Sequence, residues 1–300
     1  MRMLVVGSDG QLGHDFLRLG AELGYRAEGL SESEIDVADR DSVTAALATR
    51  AFDVLVNTAA YHGPDAYRDP HPGRFYAVNV QGPYFLAECA AQHGASLVHF
   101  STDYVFSGNA LPVGASFAES DLARPASLYA ASKLAGEQIV GVALERHFVF
   151  RVASLYGLKG CRAKGYTNFV ETVIRRLSAG RELEVVGDVV MSPTSTRAVV
   201  GKVVGLLGTE QYGLYHLAGS GSCSWYEFAL AVADYLELPT HLLKESSSDR
   251  IAQDTARGRN TALRNERLLE SPLGDLAPWR ENLHAYLDER RLVGGPSYRG

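Results

Sequence analysis

The stretch LYAASKLAGE, residues 128–137, places a phenol and an ammonium group four positions apart, at Tyr129 and Lys133. Residues four apart on a helix lie on one face, so both polar groups point the same way. A cation about 4 Å from a phenol, at an effective dielectric constant of about 20, stabilises the phenolate by roughly 4 kcal/mol. This lowers the pKa of the phenol from about 10 to near neutral pH, where the phenol can donate a proton to a carbonyl oxygen. The alternative is a solvated helix face, because this spacing also arises by chance.

A hydroxyl group precedes this helix at the end of an apolar run. Thr102 follows Leu97–Ser101, which is typical of a buried strand. Ligands of open α/β sheets bind at the carboxyl ends of strands, and the helix with Tyr129 and Lys133 comes next in the chain. We therefore predict that Thr102 donates a hydrogen bond to the oxygen that Tyr129 protonates.

Glycines at positions 7, 10 and 13 mark a turn between the first strand and the first helix. Glycine permits a tight turn and a close backbone approach, and a helix N-terminus offers unpaired N–H groups to a pyrophosphate. The segment Gly7–Gly13 therefore predicts a dinucleotide site, with the nicotinamide below Thr102 and Tyr129. The alternative is an ordinary strand-to-helix turn.

An acidic residue, Glu32, follows the second predicted strand, Ala27–Leu30. An acidic side chain about 20 positions after such a turn usually accepts hydrogen bonds from the adenosine ribose. No Lys or Arg lies between Arg26 and Arg40, so a 2′-phosphate has few partners there. We expect NADH or NADPH as cofactor, with NADH slightly favoured; the alternative for Glu32 is a solvated loop.

The elements that must position these residues alternate in the first half of the chain. Four short apolar runs predict strands at Met3–Val6, Asp53–Thr58, Leu97–Ser101 and Phe148–Val152. Helical patterns occupy Leu12–Leu23 and Phe75–Gln92, each followed by a glycine. Continuous apolar strands between helices indicate a parallel sheet covered on both faces. The predicted fold class is α/β, with a doubly wound parallel sheet.

The second half predicts a smaller C-terminal lobe that binds substrate. The helices expected in the second half of the chain are Phe169–Leu177, Val199–Leu207, Trp225–Leu236 and Trp279–Leu287. The strands expected there are Leu183–Val186 and Gly213–Leu217. Ser224 and Glu227 predict a capping box at the start of the third of these helices. We expect a dinucleotide-binding domain over 1–153, with 196–218 returning to it, and a substrate-binding lobe over 154–195 and 219–300.

Composition narrows the function classes. The chain has 300 residues, 46% hydrophobic and 21% charged, with a net charge of −6. The acidic balance argues against binding to nucleic acid or an anionic membrane. The three cysteines are scattered, the N-terminus enters a strand at once, and the nine histidines form no metal motif. We expect a cytoplasmic protein with reduced thiols and no metal.

A set of motifs follows in the order typical of one family: GQLG at 10–13, NTAA at 57–60, Asn79, STDYVFSG at 101–108, YAASKLAGE at 129–137, SPT at 192–194 and YHLAGSGSCSWYEF at 215–228. Together they resemble the dTDP-4-dehydrorhamnose reductase family of the extended short-chain dehydrogenases/reductases, nearly end to end. The resemblance implies a Rossmann-type sheet, a reduced nicotinamide dinucleotide and a nucleotide-linked 4-keto-6-deoxyhexose as substrate.

The resemblance also implies roles for individual residues. The implied catalytic residues are Thr102, Tyr129 and Lys133. The implied cofactor-binding residues, besides Glu32, are Gly7, Gly10, Gln11, Leu12, Asp36, Val37, Ala59, Ala60, Tyr61, Asn79, Tyr129 and Lys133. The implied substrate-binding residues are His62, Thr102, Asp103, Tyr104, Ser154, Asn168, Phe169 and Arg257.

Four positions depart from the family pattern or separate it from relatives. Tyr104 stands where related 4,6-dehydratases have a glutamate that takes part in elimination, which favours reduction. Ser154 replaces a tryptophan that packs on the sugar, and His62 lies in a segment, 60–68, that differs from the family. Arg257 precedes a glycine where the family usually has proline. The differences at His62 and Ser154 concern the sugar more than the chemistry.

Two other functions stay open at this point. One is another extended short-chain reductase or epimerase that acts on a different nucleotide sugar. The other is a non-catalytic regulatory subunit, because the fold family includes a partner of methionine adenosyltransferase. The intact set of Thr102, Tyr129 and Lys133 favours an enzyme. A homodimer is a candidate assembly.

Overall fold

A computed structural model describes residues 1–62, 71–112, 114–160, 165, 167–250 and 258–293. The strands are β1 Arg2–Val6, β2 Arg26–Leu30, β3 Val54–Asn57, β4 Ser96–Thr102, β5 His147–Val152, β6 Leu155–Tyr156, β7 Leu183–Val186, β8 Val190–Met191, β9 Thr194–Ser195, β10 Gly213–Leu217, β11 Cys223–Ser224 and β12 Leu243–Ser246. The α-helices are α1 Gln11–Arg18, α2 Arg40–Leu47, α3 Gly73–Tyr76, α4 Gly82–Gln92, α5 Leu128–Ala143, α6 Phe169–Ser178, α7 Thr196–Leu207, α8 Trp225–Tyr235, α9 Glu266–Glu270 and α10 Trp279–Leu292. A π-helical segment, Ala77–Gln81, joins α3 to α4, and Asp103–Phe106 and Thr240–Leu242 form 3₁₀ turns.

A six-stranded sheet in the order β10-β5-β4-β3-β1-β2 forms the centre of the molecule, and all its pairs are parallel. Successive residues of β1 enter different cores: Met3 and Val5 join one hydrophobic cluster, while Leu4 and Val6 join another. Both faces of the sheet are therefore covered, which confirms the doubly wound α/β prediction. The strand order changes direction between β1 and β3, where such folds bind ligands.

The helix predicted at Leu12–Leu23 is shorter than expected, because α1 ends at Arg18. The chain folds back there: the Tyr25 N–H donates to the Gly20 carbonyl at 2.9 Å. The Tyr25 hydroxyl also donates to the Phe16 carbonyl at 2.6 Å, which fixes the turn into β2. The sequence analysis missed α2, whose N-cap Asp39 accepts a hydrogen bond from Asp41 N.

The helix predicted at Phe75–Gln92 is confirmed, with one irregularity. Its Ala77–Gln81 part is π-helical and contains the buried Asn79. The helix ends before Gly94, whose φ of +63° is the left-handed conformation expected of a glycine stop. π-Segments inside helices occur frequently at functional sites.

The predicted elements of the second half are largely confirmed. The strands β7 and β10 have the predicted bounds, while α10 runs five residues past its predicted end, to Leu292 rather than Leu287. The capping box of α8 is present, with Ser224 Oγ accepting from Glu227 N at 3.1 Å. The two-residue strands β6, β8, β9 and β11 were not predicted, because two residues carry no clear period, and β12, which pairs with the predicted β7, was also missed.

The hydrophobic clusters suggest how the chain divides. A third cluster collects α6, α8 and α10 around Val173, Phe228 and Leu283, apart from the large sheet. The strand β10 pairs with β5 of that sheet, and α7 packs in the first cluster. Leu268 and Leu276 also pack in the first cluster, although the sequence analysis assigned them to the substrate lobe. We propose a dinucleotide-binding domain over 1–153 and 196–218, joined by residues near α9, and a smaller lobe over the rest.

Candidate active site

The turn at Gly7 has the close backbone approach that its glycines allow. Gly7 has a φ of +79°, and its N–H donates to the Leu30 carbonyl at 2.9 Å. A Cβ atom at Gly13 would lie 2.4 Å from the Gly7 carbonyl oxygen. Larger residues would therefore push the turn away from the start of α1.

This turn suits a bound anion. Gly10 is the N-cap of α1, and the first turn of that helix, beginning with Gln11 and Leu12, contains no acidic residue. Among the described residues, the buried Nε2 of Gln11 has no hydrogen-bond partner. A helix N-terminus with an unused buried donor fits the pyrophosphate of a dinucleotide.

Asn79 ties the segment after β3 to the helix that carries the tyrosine. Its side chain accepts from Tyr61 N at 2.8 Å and donates to the Tyr61 carbonyl at 3.0 Å. Its Nδ2 also donates to Ser132 Oγ at 3.0 Å, and Ser132 Oγ donates to the Tyr129 carbonyl at 2.8 Å. Ala59 and Ala60, half-buried, lie just before this segment. The π-segment thus fixes the distance between the predicted cofactor site and α5.

Tyr129 lies half-buried in the first turn of α5, behind the N-cap Ser127. Its ring packs between two other rings: His62 at a centroid distance of 4.5 Å and Tyr104 at 6.3 Å, the latter nearly edge-on. Three residues predicted from the sequence to share a site therefore lie together. His62 is exposed, so this ring forms part of the wall facing solvent.

Lys133 follows Tyr129 by one helical turn and is almost completely buried, with 2% of its surface exposed. Burial lowers the pKa of its ammonium to about 8, and the nearby Glu137 opposes that effect. Its Nζ lies 3.5 Å from Nε2 of His99, which is also buried. Burial and the positive charge of Lys133 hold the pKa of His99 well below its usual value. His99 is therefore neutral.

The tautomer of His99 follows from its other neighbour. Asn57 Oδ1 accepts from Ala59 N at 3.1 Å, so Asn57 Nδ2 is the atom that faces His99 Nδ1, also at 3.1 Å. His99 Nδ1 is then the acceptor and Nε2 carries the proton, so the 3.5 Å contact with the Lys133 ammonium joins two donors and is not a hydrogen bond. The end of β3 therefore fixes the ring of His99 beside the lysine.

Below Lys133, a buried ion pair joins α5 to β5. Glu137 accepts from Arg151 Nη2 at 2.7 Å and from Arg151 Nε at 3.0 Å. Ser101 also donates to Glu137, and the Arg151 guanidinium lies 5.0 Å over the Phe106 ring. Because Glu137 lies one turn after Lys133, this pair fixes the helix under the lysine.

Thr102 is the last residue of β4, and its hydroxyl donates to Asp103 Oδ1 at 3.1 Å. Asp103 Oδ2 accepts from Thr261 Oγ1 at 2.6 Å, a contact between the sheet and the C-terminal half. Burial raises the pKa of Asp103 to about 6, against the opposing hydrogen bonds from Thr261 and Thr102. The hydroxyl predicted to meet a carbonyl is thus held at the strand end.

Comparison with known proteins identifies the family of this chain. The family model "RmlD substrate binding domain" matches residues 1–292. The chain belongs to this family. It is 34% identical over 284 residues to dTDP-4-dehydrorhamnose reductase of Mycolicibacterium smegmatis, covering 94% of this chain and 84% of that protein. It is 32% identical over 305 residues to a probable dTDP-4,6-dihydroxy-2-methyloxan-3-one 4-ketoreductase of Streptomyces antibioticus, covering 100% of this chain and 99% of that protein.

A solved structure of the same family has a similar fold. The dTDP-4-dehydrorhamnose reductase of Bacillus anthracis, in complex with NADP, superposes with a TM-score of 0.88 at 28% identity. The match covers 96% of this chain and 99% of that one. The resemblance inferred from the motifs is therefore confirmed at the level of the family.

Three more residues predicted from the family, Ser154, Asn168 and Phe169, follow β5 in the chain. Asn168 is buried as the N-cap of α6, accepting from Glu171 N and donating to the Gly157 carbonyl, both at 3.0 Å. Phe169 packs edge-on against Trp225 at 4.7 Å. Ser154, between β5 and β6, has a φ of +42°. Their contacts with a sugar stay predictions, and Arg257 lies outside the described residues.

The predicted adenine-side residues follow β2. Val37 is buried against Gly82 of α4, while Asp36 is exposed and its backbone N–H donates to Ser42 Oγ at 3.0 Å. Glu32 is exposed in the loop after β2. Their cofactor roles also stay predictions.

Sequence reasoning missed four residues around the site: His99, Glu137, Arg151 and Arg74. Glu137 had a usable signal, because it lies one helical turn after Lys133. His99 and Arg151 come from neighbouring strands, and only the register of the sheet brings them close. Arg74 comes from a helix that is distant in the sequence.

Among the described residues, no cluster of three or more His, Cys, Asp or Glu side chains could hold a metal ion. None of the helices in that part of the chain is long and apolar enough to cross a membrane.

Proposed function

We propose that the protein is an NAD(P)H-dependent reductase of a nucleotide-activated 4-keto-6-deoxy sugar, with dTDP-4-dehydrorhamnose as the reference substrate. The observation that carries this proposal is the pairing of Tyr129 with the buried Lys133 on α5, beside the strand end that carries Thr102. The turn at Gly7–Gly13 and the family membership support the cofactor.

In the proposed reaction, the bound reduced nicotinamide supplies a hydride to the keto carbon of the sugar. Gly7, Gly10, Gln11 and Leu12 hold the pyrophosphate through the backbone and the N-terminus of α1. Asn79 holds Tyr61 and the start of α5 in fixed relation, so that Tyr129 faces the reacting carbon. The protein therefore supplies orientation before any proton moves.

Proton delivery falls to Tyr129. Its hydroxyl donates to the keto oxygen as negative charge develops there, and the Lys133 ammonium stabilises the phenolate left behind. With a pKa of about 8, Lys133 carries its charge at neutral pH. Thr102 donates a second hydrogen bond to the same oxygen, turning its hydroxyl from Asp103 towards the substrate.

Elimination is disfavoured by the residues at the strand end. Asp103 is buried and engaged by Thr102 and Thr261, and Tyr104 follows it instead of a second carboxylate. A reaction that removes a proton from carbon needs a base that can reach the sugar. Reduction needs only the proton donor that Tyr129 provides.

A different keto-sugar is the second candidate, and two residues favour it. Ser154 replaces a large aromatic wall with a small polar side chain, and His62 adds an exposed imidazole beside Tyr129. The Streptomyces antibioticus relative, which this chain matches along its full length, is named for a different 4-keto sugar. The reacting groups are the same in either case.

The test is consumption of reduced cofactor by the purified protein, with and without dTDP-4-dehydrorhamnose. We expect turnover that depends on the keto-sugar and falls at least about 100-fold in Tyr129→Phe. Binding of cofactor without turnover on any 4-keto sugar nucleotide would instead support the regulatory-subunit alternative.

We further propose a cytoplasmic location and a homodimer. The first rests on the nucleotide-sugar substrate of the proposed reaction. The second rests on the exposed Val142 of α5 and Tyr84 of α4, apolar side chains on two adjacent helices. Sedimentation of the purified protein tests it, since a monomer at all concentrations would exclude the dimer.

A further inference from the structure

The loop after β2 receives a cation from a distant part of the chain. No Lys or Arg stands between Arg26 and Arg40, yet the fold brings Arg74, at the start of the 73–92 helix, to Glu32. Arg74 Nη2 lies 3.9 Å from Glu32 Oε1, and both side chains are more than half exposed, at 52% and 61%. At that distance the pair is loose, and the guanidinium can turn to another anion.

A second contact keeps Arg74 in place when Glu32 is not its partner. Its guanidinium lies 5.1 Å over the ring of Tyr61, and Tyr61 is fixed by Asn79. A planar guanidinium stacks well on an aromatic face and still presents its N–H groups at the edge. Arg74 therefore stands between the segment after β2 and the segment after β3.

The nearest cation along the sequence, Arg40, is used elsewhere. It pairs with Glu88 of α4, and its guanidinium lies 5.5 Å over the ring of Phe85. Arg40 is therefore directed to α4 and not to Glu32. This leaves Arg74 as the cation that the described structure sets beside the predicted ribose site.

We propose that Arg74 is the residue that admits the 2′-phosphate of NADPH, and that Glu32 is its counterpart for the free 2′-hydroxyl of NADH. This inference rests on the proposed function, because it concerns the cofactor of that reduction. With NADPH, Arg74 leaves Glu32 and binds the phosphate with its guanidinium fork. With NADH, Glu32 accepts a hydrogen bond from the ribose, and Arg74 neutralises its charge. The protein therefore uses both cofactors.

Binding of 2′,5′-ADP and 5′-AMP, measured by calorimetry, isolates the 2′-phosphate from the rest of the cofactor. Arg74→Gln should weaken 2′,5′-ADP by about tenfold, the loss of one charge-assisted contact, and leave 5′-AMP nearly unchanged. Glu32→Gln should tighten 2′,5′-ADP, because it removes a like charge. Arg40→Gln is the matched control, an exposed arginine engaged with Glu88, and should change neither. All three residues are surface-exposed, so the variants should fold.

An unchanged ratio of the two affinities in Arg74→Gln, or an equal loss in Arg40→Gln, would overturn the proposal. The ratio of kcat/KM for NADPH to that for NADH should follow the same order among the variants. The binding measurement needs no sugar, so the expected shift in a protein that reduces no keto-sugar would reject the proposed function alone. If neither adenosine ligand binds, the dinucleotide site itself is wrong, and this inference falls with it.

Discussion

Tyr129 takes its role from the groups around it: a buried ammonium one turn later, and the rings of His62 and Tyr104 on its sides. We expect Tyr129→Phe to lower kcat by at least about 100-fold, the usual effect of losing a general acid, with little change in NADPH binding. Tyr84→Phe is the matched control, an exposed tyrosine bonded to Glu88 at 3.0 Å, and should keep full activity. Steady-state kinetics and cofactor titration measure both. Near-normal turnover in Tyr129→Phe would mean that another group delivers the proton.

Lys133 should give activity an alkaline limit. Burial lowers its pKa to about 8, so the ammonium loses its proton as the pH rises through that value. Without the positive charge, the phenolate of Tyr129 is no longer stabilised, and kcat should fall above about pH 8. The measurement is kcat against pH at saturating substrate. A rate that stays constant well past pH 9 would show that the charge of Lys133 is not required.

Ser154 is where we expect the sugar pocket to differ from the family. A tryptophan face would cover apolar area of the sugar ring, and serine leaves a larger and more polar space. We expect turnover of dTDP-4-dehydrorhamnose with a raised KM, and a lower KM in Ser154→Trp. Ser154→Ala serves as the control for loss of the hydroxyl. If the unaltered protein saturates at low micromolar substrate and Ser154→Trp impairs it, this pocket binds the sugar in another way.

At the scale of the elements, the ion pair between α5 and β5 is the clearest energetic feature. Glu137 and Arg151 are 7% and 5% exposed, and breaking such a pair from one side typically costs about 3–5 kcal/mol. We therefore expect Arg151→Met to lower the free energy of unfolding by that amount. The exposed pair of Arg2 and Asp53, with its contact at 2.6 Å, gives the control: Arg2→Met should change the free energy of unfolding far less than Arg151→Met.

Urea unfolding of these variants measures the difference. The double variant Glu137→Leu/Arg151→Met should recover much of the loss, because no charge is left buried without a partner. Equal effects of Arg151→Met and Arg2→Met would contradict the buried pair.

The strands β1, β3, β4 and β5 were predictable because each is a largely apolar run, buried on both faces. The helix α5 was predictable with its chemistry, because the spacing of Tyr129 and Lys133 is local to one turn. The end of α1 was not, since it depends on Gly20 and Tyr25 closing a tertiary turn. The strands β6, β8, β9 and β11 have only two residues each, too few for a period.

Contacts between strands were beyond the sequence for a different reason. Asn57 lies opposite His99, and Ser101 opposite Arg151, only in the register that the sheet adopts. A shift of one residue would turn each of these side chains to the other face. The pairing of Glu32 with Arg74 likewise depends on the path of the chain across β3 and into the 73–92 helix.

Across the whole molecule, the two halves meet at the strand end that carries the proposed catalytic Thr102. Thr261, from the C-terminal half, bonds Asp103 at 2.6 Å, next to Thr102. A second contact between the halves joins α1 to α10, where Arg18 pairs with Glu289 at 2.7 Å. The proposed dinucleotide domain is thus anchored to the smaller lobe at two places. A sugar nucleotide bound by that lobe would present its keto group to Tyr129.

Transfer of hydrogen to the sugar tests the central claim most directly. The protein is incubated with dTDP-4-dehydrorhamnose and with NADPH in which both hydrogens on C4 of the nicotinamide are deuterium. The product is then examined by NMR. We predict deuterium on the former keto carbon of the sugar, formed at full rate by the unaltered protein and by Tyr84→Phe, and at least about 100-fold more slowly by Tyr129→Phe. Unchanged keto-sugar and unconsumed cofactor with the unaltered protein, or deuterium at any other sugar carbon, would contradict the account.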